Sequence, residues 1–176
     1  MNNFFRYGFR LLLFILTQHF IAYRIPPLHD SFSVIFYYLF IIWLPFNVSR
    51  SGLIFISFLT GLFMDSFTRT PGMHAAACVL IGYVRPFIIN FLLPNKDVNF
   101  NYREPSVISL GLVPYLTYTS LVTMLHHLCL FMMIAFQVGN IGYLLLKTLG
   151  SSVVSLLLIA VIEIIFTRKQ KFLTNT

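Results

Sequence analysis

IGYLLLKTLGSSVVSLLLIAVIEIIF, residues 141–166, holds only two charged side chains, Lys147 and Glu163. A run of about 20 apolar residues spans the hydrocarbon core of a bilayer as a helix. This stretch is too long and too apolar for the surface of a soluble domain, and it predicts a membrane-spanning helix. The rest of the chain repeats the pattern. Of 176 residues, 58% are hydrophobic and 10% are charged, whereas soluble domains carry about a quarter charged residues. An apolar excess of this size cannot be hidden inside one small globule, so it predicts side chains facing lipid.

Proline, glycine and charge divide the sequence into six runs, with expected helices over 7–24, 31–47, 51–66, 73–93, 107–135 and 141–166. The second and third are short, which predicts tilt or local thinning of the bilayer. A membrane barrel would instead show strict alternation in segments of about ten residues. The expectation is a single all-α membrane domain, 1–176, with six transmembrane helices. Arg6 to Arg10 before Leu11–Leu16 resembles a signal peptide, but no small-x-small cleavage site follows, so it reads as an uncleaved first helix.

Orientation follows from Lys and Arg. With both termini cytoplasmic, Arg6, Arg10, Arg50, Lys96, Arg103, Arg168, Lys169 and Lys171 fall inside. Arg24 and Arg69 fall outside, with Lys147 near that side. The bias is the one that sets topology. The formal charge of +7 then reads as orientation and contact with anionic lipid. The basic residues form no patch suited to nucleic acid, and none is expected as a partner.

Polar residues inside such helices are functional suspects. Asp65 ends the third helix four residues after Gly61, on one face, where glycine admits a close neighbour. It either caps the turn, pairs with Arg69, or touches a partner. His74, Cys78, Gly82 and Arg85 share a broad face of the fourth helix, and Ala75–Ala77 beside them make it the most closely packable helix. Arg85 precedes Pro86, which leaves the Gly82 carbonyl without its helical N–H. The guanidinium could serve that carbonyl, reach the inner headgroups, or pair with a buried acid or a partner protein. His126 and His127 point about 100° apart, which disfavours one metal and favours hydrogen bonds between helices. Asp65 is a candidate partner for His127. Glu163 reads as an interfacial residue paired with Arg168 and Lys169, and Lys147 as snorkelling outward. Trp43, Tyr37 and Tyr38 read as interfacial anchors. Cys78 and Cys129 read as packing residues, with no disulfide or metal signal. No nucleophile, base and orienter assemble in the sequence, no phosphate loop or HExxH occurs, and neither catalysis nor a cofactor is expected.

The stretch Gly61-Leu62-Phe63-Met64-Asp65-Ser66-Phe67-Thr68-Arg69-Thr70-Pro71-Gly72-Met73-His74-Ala75-Ala76 resembles the signature of the rod-shape-determining MreD family: a Gly-x-x-x-Asp, a short turn, then Gly-x-His-Ala entering a helix. Gly82-Tyr83-Val84-Arg85-Pro86, Pro94 with its polar loop, and His126-His127 before Leu128 and Phe131 are similar to the branch of Bacteroidetes-type bacteria. The acid that often follows the paired histidines there is replaced by Met132-Met133-Ile134-Ala135. The resemblance implies a non-enzymatic scaffold in the bacterial cytoplasmic (inner) membrane. It would work with an MreC-like protein, MreB, RodA and a class B penicillin-binding transpeptidase in lateral peptidoglycan synthesis and cell shape. It also implies a fold similar to the six-helix substrate-binding subunits of energy-coupling-factor transporters. That fold leaves a second reading open, a vitamin-type binding subunit of a transporter. Gly61, Asp65, Gly72, His74, Gly82, Arg85, His126 and His127 are the candidates for partner contact or packing between helices.

Overall fold

The computed structural model describes residues 3–20, 32–93, 104–135 and 140–166. Over these residues every regular element is a helix: α1 Asn3–Phe20, α2 Leu39–Ile42, α3 Arg50–Thr68, α4 Met73–Leu92, α5 Val107–Leu110, α6 Leu112–Ala135 and α7 Ile141–Ile165. Four of them, α3, α4, α6 and α7, are long and apolar enough to cross a membrane. Over the described residues the chain is an all-helical, multi-pass membrane protein. The α1 helix is amphipathic, with Arg6, Arg10, Gln18 and His19 among its apolar residues. The basic residues Arg24, Lys96, Arg103, Arg168, Lys169 and Lys171, and the loop after Pro94, lie outside the described residues.

Local chemistry sets the helix ends. The Ser49 hydroxyl accepts from the Gly52 N–H at 3.2 Å to start α3. The Asn140 side chain accepts from the Tyr143 N–H at 3.2 Å to start α7. The helix expected over 107–135 is divided in two. At Gly111 the backbone takes φ 86° and ψ 160°, a conformation open to glycine and to almost nothing else. Ser106 and Ser109 cap the short α5 reciprocally.

The long helices pack in the order α3–α4–α6–α7, and α1 lies against α2 and α3. Two glycines set the spacing. A Cβ on Gly61 would collide with the Ala75 backbone of α4, and one on Gly82 would collide with the Ser57 side chain of α3. The α3–α4 hairpin therefore packs backbone against backbone, as the small residues of both helices predict.

The helix expected over 31–47 is not formed. Residues 32–36 run extended, Tyr37 and Tyr38 turn, and only α2 is helical; this buried segment, residues 32–44, forms a strap across the bundle. The cause is a set of side chains that take the backbone's hydrogen bonds. The Ser33 N–H donates to Ser151 Oγ at 2.9 Å and the Ile35 N–H to Ser155 Oγ at 3.2 Å, both near the middle of α7. On the other edge, Gln18 of α1 donates from Nε2 to the Val34 carbonyl at 2.8 Å and accepts from the Phe36 N–H at 2.8 Å. Its amide stands in for the peptide group of a neighbouring strand. Every residue from Ile35 to Leu44 is buried. That burial is what permits non-helical backbone at this depth, since backbone polar groups cannot be left facing lipid. Phe32 packs its ring on Gly150 of α7, where any Cβ would clash. The aromatic, β-branched composition of Phe32–Trp43 suits this buried extended path.

Replacing Gln18 by Leu strips the partners from two backbone groups at once. An unsatisfied buried polar group costs about 1–3 kcal/mol. Gln18→Leu is therefore expected to lower the thermal unfolding midpoint in detergent clearly, while Leu12→Ala, on the exposed face of α1, stays within about 0.5 kcal/mol of the parent. Equal midpoints for the two variants would contradict this account of the strap.

Candidate functional site

Four of the polar residues singled out in the sequence, His74, Arg85, His126 and His127, meet at the buried strap. Asp65, 4% exposed, closes the turn between α3 and α4. Its Oδ1 accepts from the His74 N–H at 2.9 Å, and its Oδ2 from the Ala75 N–H at 3.0 Å and the Gly72 N–H at 3.1 Å. The Thr70 hydroxyl adds a fourth donor at 3.2 Å. One carboxylate thus satisfies the open N–H groups at the start of α4, where a negative charge is also favoured. The chain can fold back this tightly because Arg69 and Gly72 take left-handed conformations, φ 57° and 83°. The cap expected of Asp65 is formed. Asp65 makes no ion pair with Arg69 and no contact with His127. Gly72 is exposed and serves the turn.

The cap delivers His74 to the strap. The Tyr37 hydroxyl lies 2.9 Å from His74 Nδ1 and 2.9 Å from His126 Nε2, and the Cys78 thiol donates to it at 3.4 Å. A phenol has one proton, so it donates to one imidazole and accepts from the other. His126 Nδ1 is buried with no protein partner. A bare acceptor there costs less than a bare N–H, which places the His126 proton on Nε2. Tyr37 then accepts from His126 and donates to His74 Nδ1. His126 also stacks on Tyr38, with ring centroids 4.3 Å apart.

His127 faces the other way, as adjacent helical residues must. Its Nδ1 donates to the Thr123 carbonyl at 2.9 Å, which leaves Nε2 to accept from Ser155 Oγ at 3.2 Å. Ser155 in turn holds the Ile35 N–H. The Tyr38 hydroxyl donates to Thr123 Oγ1 at 3.1 Å. The two histidines thus serve different parts of one segment, and they do not form a shared metal site. Among the described residues no cluster of three metal-binding side chains occurs.

Arg85, 2% exposed, secures the far end of the strap. It donates from Nε to the Tyr118 hydroxyl at 3.0 Å and from a terminal nitrogen to the Leu44 carbonyl. Tyr118 passes its own proton to the Ile42 carbonyl at 3.2 Å. The guanidinium bonds neither the Gly82 carbonyl nor a carboxylate of the described residues. It satisfies carbonyls that a helix as short as α2 leaves open. The ion pairs among the described residues are those of Glu104 with Arg6 at 3.0 Å and Arg10 at 2.9 Å.

Several residues that matter here gave little signal in the sequence. Tyr37, Tyr38 and Trp43 are the centre of the core and not interfacial anchors: both tyrosines are fully buried, and Trp43 is 4% exposed. Gln18, Ser151 and Ser155 looked like ordinary polar interruptions of apolar runs. Glu163 accepts from the Tyr115 hydroxyl at 2.9 Å, while its expected partners Arg168 and Lys169 lie outside the described residues. The Lys147 ammonium lies 5.2 Å from the Phe131 ring centre and 5.7 Å from that of Tyr143, one turn nearer the start of α7. Cys78 and Cys129 are free thiols.

Asp65→Ala is expected to cost about 2 kcal/mol, the upper end for loss of a helix cap. His127→Ala should couple to Ser155→Ala by about 0.5–3 kcal/mol, as touching residues do, while Asp65→Ala and His127→Ala should add within about 0.5 kcal/mol. Double-mutant cycles on unfolding in detergent read both. Comparison of the chain with family models, with curated proteins and with solved structures finds no match.

Proposed function

We propose that this protein is a membrane scaffold of the cell-elongation machinery, similar to the rod-shape-determining MreD family. The observation that carries the reading is the Gly61–Ala76 segment. Its family-like positions act together: Gly61 admits α4, Asp65 caps it, Gly72 turns the chain, and His74 enters the core beneath. A rigid joint of that kind suits a protein whose task is to present a fixed bundle to partners. The polar side chains of the site are engaged in holding the strap, which also suits a scaffold. Its partners would be an MreC-like protein first, then MreB, RodA and a class B penicillin-binding transpeptidase, at the bacterial cytoplasmic membrane. The topology that fits this reading has both termini cytoplasmic and six crossings, with the strap and α2 taking the place of a second helix.

Depletion of the protein in its host should turn rods into spheres, and the tagged protein should co-purify with the MreC-like protein. A reporter fused after residue 176 should be active only as a cytoplasmic fusion. Unchanged rod shape together with recovery of a transporter ATPase pair, or of a retained vitamin-type ligand, would replace the scaffold with the binding subunit of a transporter.

A further inference from the structure

A hydroxyl on the lipid-facing side of a helix has to find its hydrogen bond within protein, because hydrocarbon offers none. Two exposed hydroxyls find it on their own helix: Ser66 donates to the Leu62 carbonyl at 3.0 Å and Thr117 to the Val113 carbonyl at 3.0 Å. Tyr83 of α4 is different. It is 56% exposed, and its rigid ring holds the hydroxyl away from the carbonyls of its own helix. No described residue hydrogen-bonds it. It lies ten residues from the start of α4 and nine from the end, about 14 Å from either, too deep for the hydroxyl to reach the headgroups. The other exposed tyrosine among the described residues, Tyr143, lies in the first turn of α7.

Tyr83 belongs to a stripe. Ala76, Leu80, Tyr83, Phe87 and Asn90 follow one another at spacings of four, three, four and three. That is the rhythm of a seam on which two helices cross at about 20°. None of the five is buried, and Tyr83, Phe87 and Asn90 are exposed. The rings are already ordered: the Phe87 ring centre lies 5.5 Å from that of Tyr83 and 5.5 Å from the Arg50 guanidinium of α3. A face ordered in advance loses little entropy on docking. The Asn90 amide, like the Tyr83 hydroxyl, has no hydrogen bond from a described residue.

An acyl chain can cover these rings but cannot answer the polar groups, whereas a second helix can do both. The polar groups also select which helix. An amide carries donors and an acceptor, and a phenol carries one of each, so each can bond its own counterpart. No charged residue lies on the stripe to repel a copy. Two copies inserted in the same sense, related by a two-fold axis along the bilayer normal, bring like residues together at one depth. Because α4 is flanked by α3 and α6, the same axis sets the two Arg50 cations on opposite sides of the seam. We propose that the outward face of α4 is the seam of a homodimer, in which Tyr83 and Asn90 each hydrogen-bond the same residue of the second copy. This surface is separate from the strap and does not depend on the scaffold reading.

The test uses the full-length protein. In native membranes under oxidant, Phe87→Cys should form a disulfide-linked dimer. Leu157→Cys, on the exposed face of α7, should stay monomeric, as should the parent with its own Cys78 and Cys129. In liposomes, energy transfer between donor- and acceptor-labelled copies should report the dimer over a series of protein-to-lipid ratios. Tyr83→Phe and Asn90→Leu should each raise its dissociation constant about tenfold, the upper range for one hydrogen bond between membrane helices. Both side chains are exposed, so the unfolding midpoints should not move. A monomer at every protein-to-lipid ratio overturns the proposal, as does a Tyr83→Phe dimer as tight as the parent's. So does cross-linking of Leu157→Cys as complete as that of Phe87→Cys, or capture of a different protein by Phe87→Cys. Leu80→Cys, on the same stripe, decides the cross-linking arm if Phe87→Cys fails to fold.

Discussion

A peptide group cannot be abandoned in lipid, and the architecture of this protein depends on how one stretch of backbone escapes that rule. Residues 32–36 are extended near the middle of α7, where neither water nor a helical ladder is at hand. Gln18 supplies a substitute peptide group on one edge, and Ser151 and Ser155 supply acceptors on the other. Once these bonds are in place, the next residues can carry Tyr37 and Tyr38 into the centre of the bundle. The histidines and Arg85 then have something to hold. The buried polar network follows from the strap: it consists of the hydrogen bonds that an extended segment requires when four long helices surround it.

Charge inside the bundle is managed without burying an ion pair among the long helices. Asp65 is neutralised in effect by three backbone N–H groups and a hydroxyl. Arg85 is solvated by a phenol and a carbonyl. Fixed dipoles of this kind pay for desolvation only if their geometry is held, and here it is held by close helix contact at Gly61 and Gly82. The imidazoles have a fixed sense of donation for the same reason. Each is bonded on a defined side to a group whose own proton is already assigned, so the network has one consistent polarity from the Ile35 N–H through Ser155 and His127 to the Thr123 carbonyl.

Much of this was legible in the residues. Long apolar runs predicted α3, α4, α6 and α7. Small residues predicted the α3–α4 contact. The turn after Asp65 was read with its cap among the alternatives. The strap was not legible, because hydropathy reports burial in an apolar phase and is silent on backbone conformation. SFSVIFYYLFIIWLPF, residues 31–46, is as apolar as a spanning helix. What makes residues 32–36 extended lies in Gln18, Ser151 and Ser155, away from them in the sequence, and polar residues within apolar runs carry no label naming their partners. The break at Gly111 was likewise hidden, since a lone glycine is ordinary within a membrane helix. The pairing of Asp65 with His127 was suggested by depth alone, and depth does not specify which face of α6 meets the turn.

The bonds that join the strap to α7 link residues 118 and 120 positions apart. A chain inserted from its N-terminus makes α1 early, so Gln18 can engage Val34 and Phe36 as soon as both have left the ribosome. The N–H groups of Ser33 and Ile35 must wait until α7 has entered the bilayer. Until then one edge of the strap is an open strand inside the membrane, a state that favours rapid completion of the chain or temporary cover by the insertion machinery. Biogenesis of the protein is thus tied to α7: a chain truncated before it would lose a span and also leave its innermost segment without a place to rest.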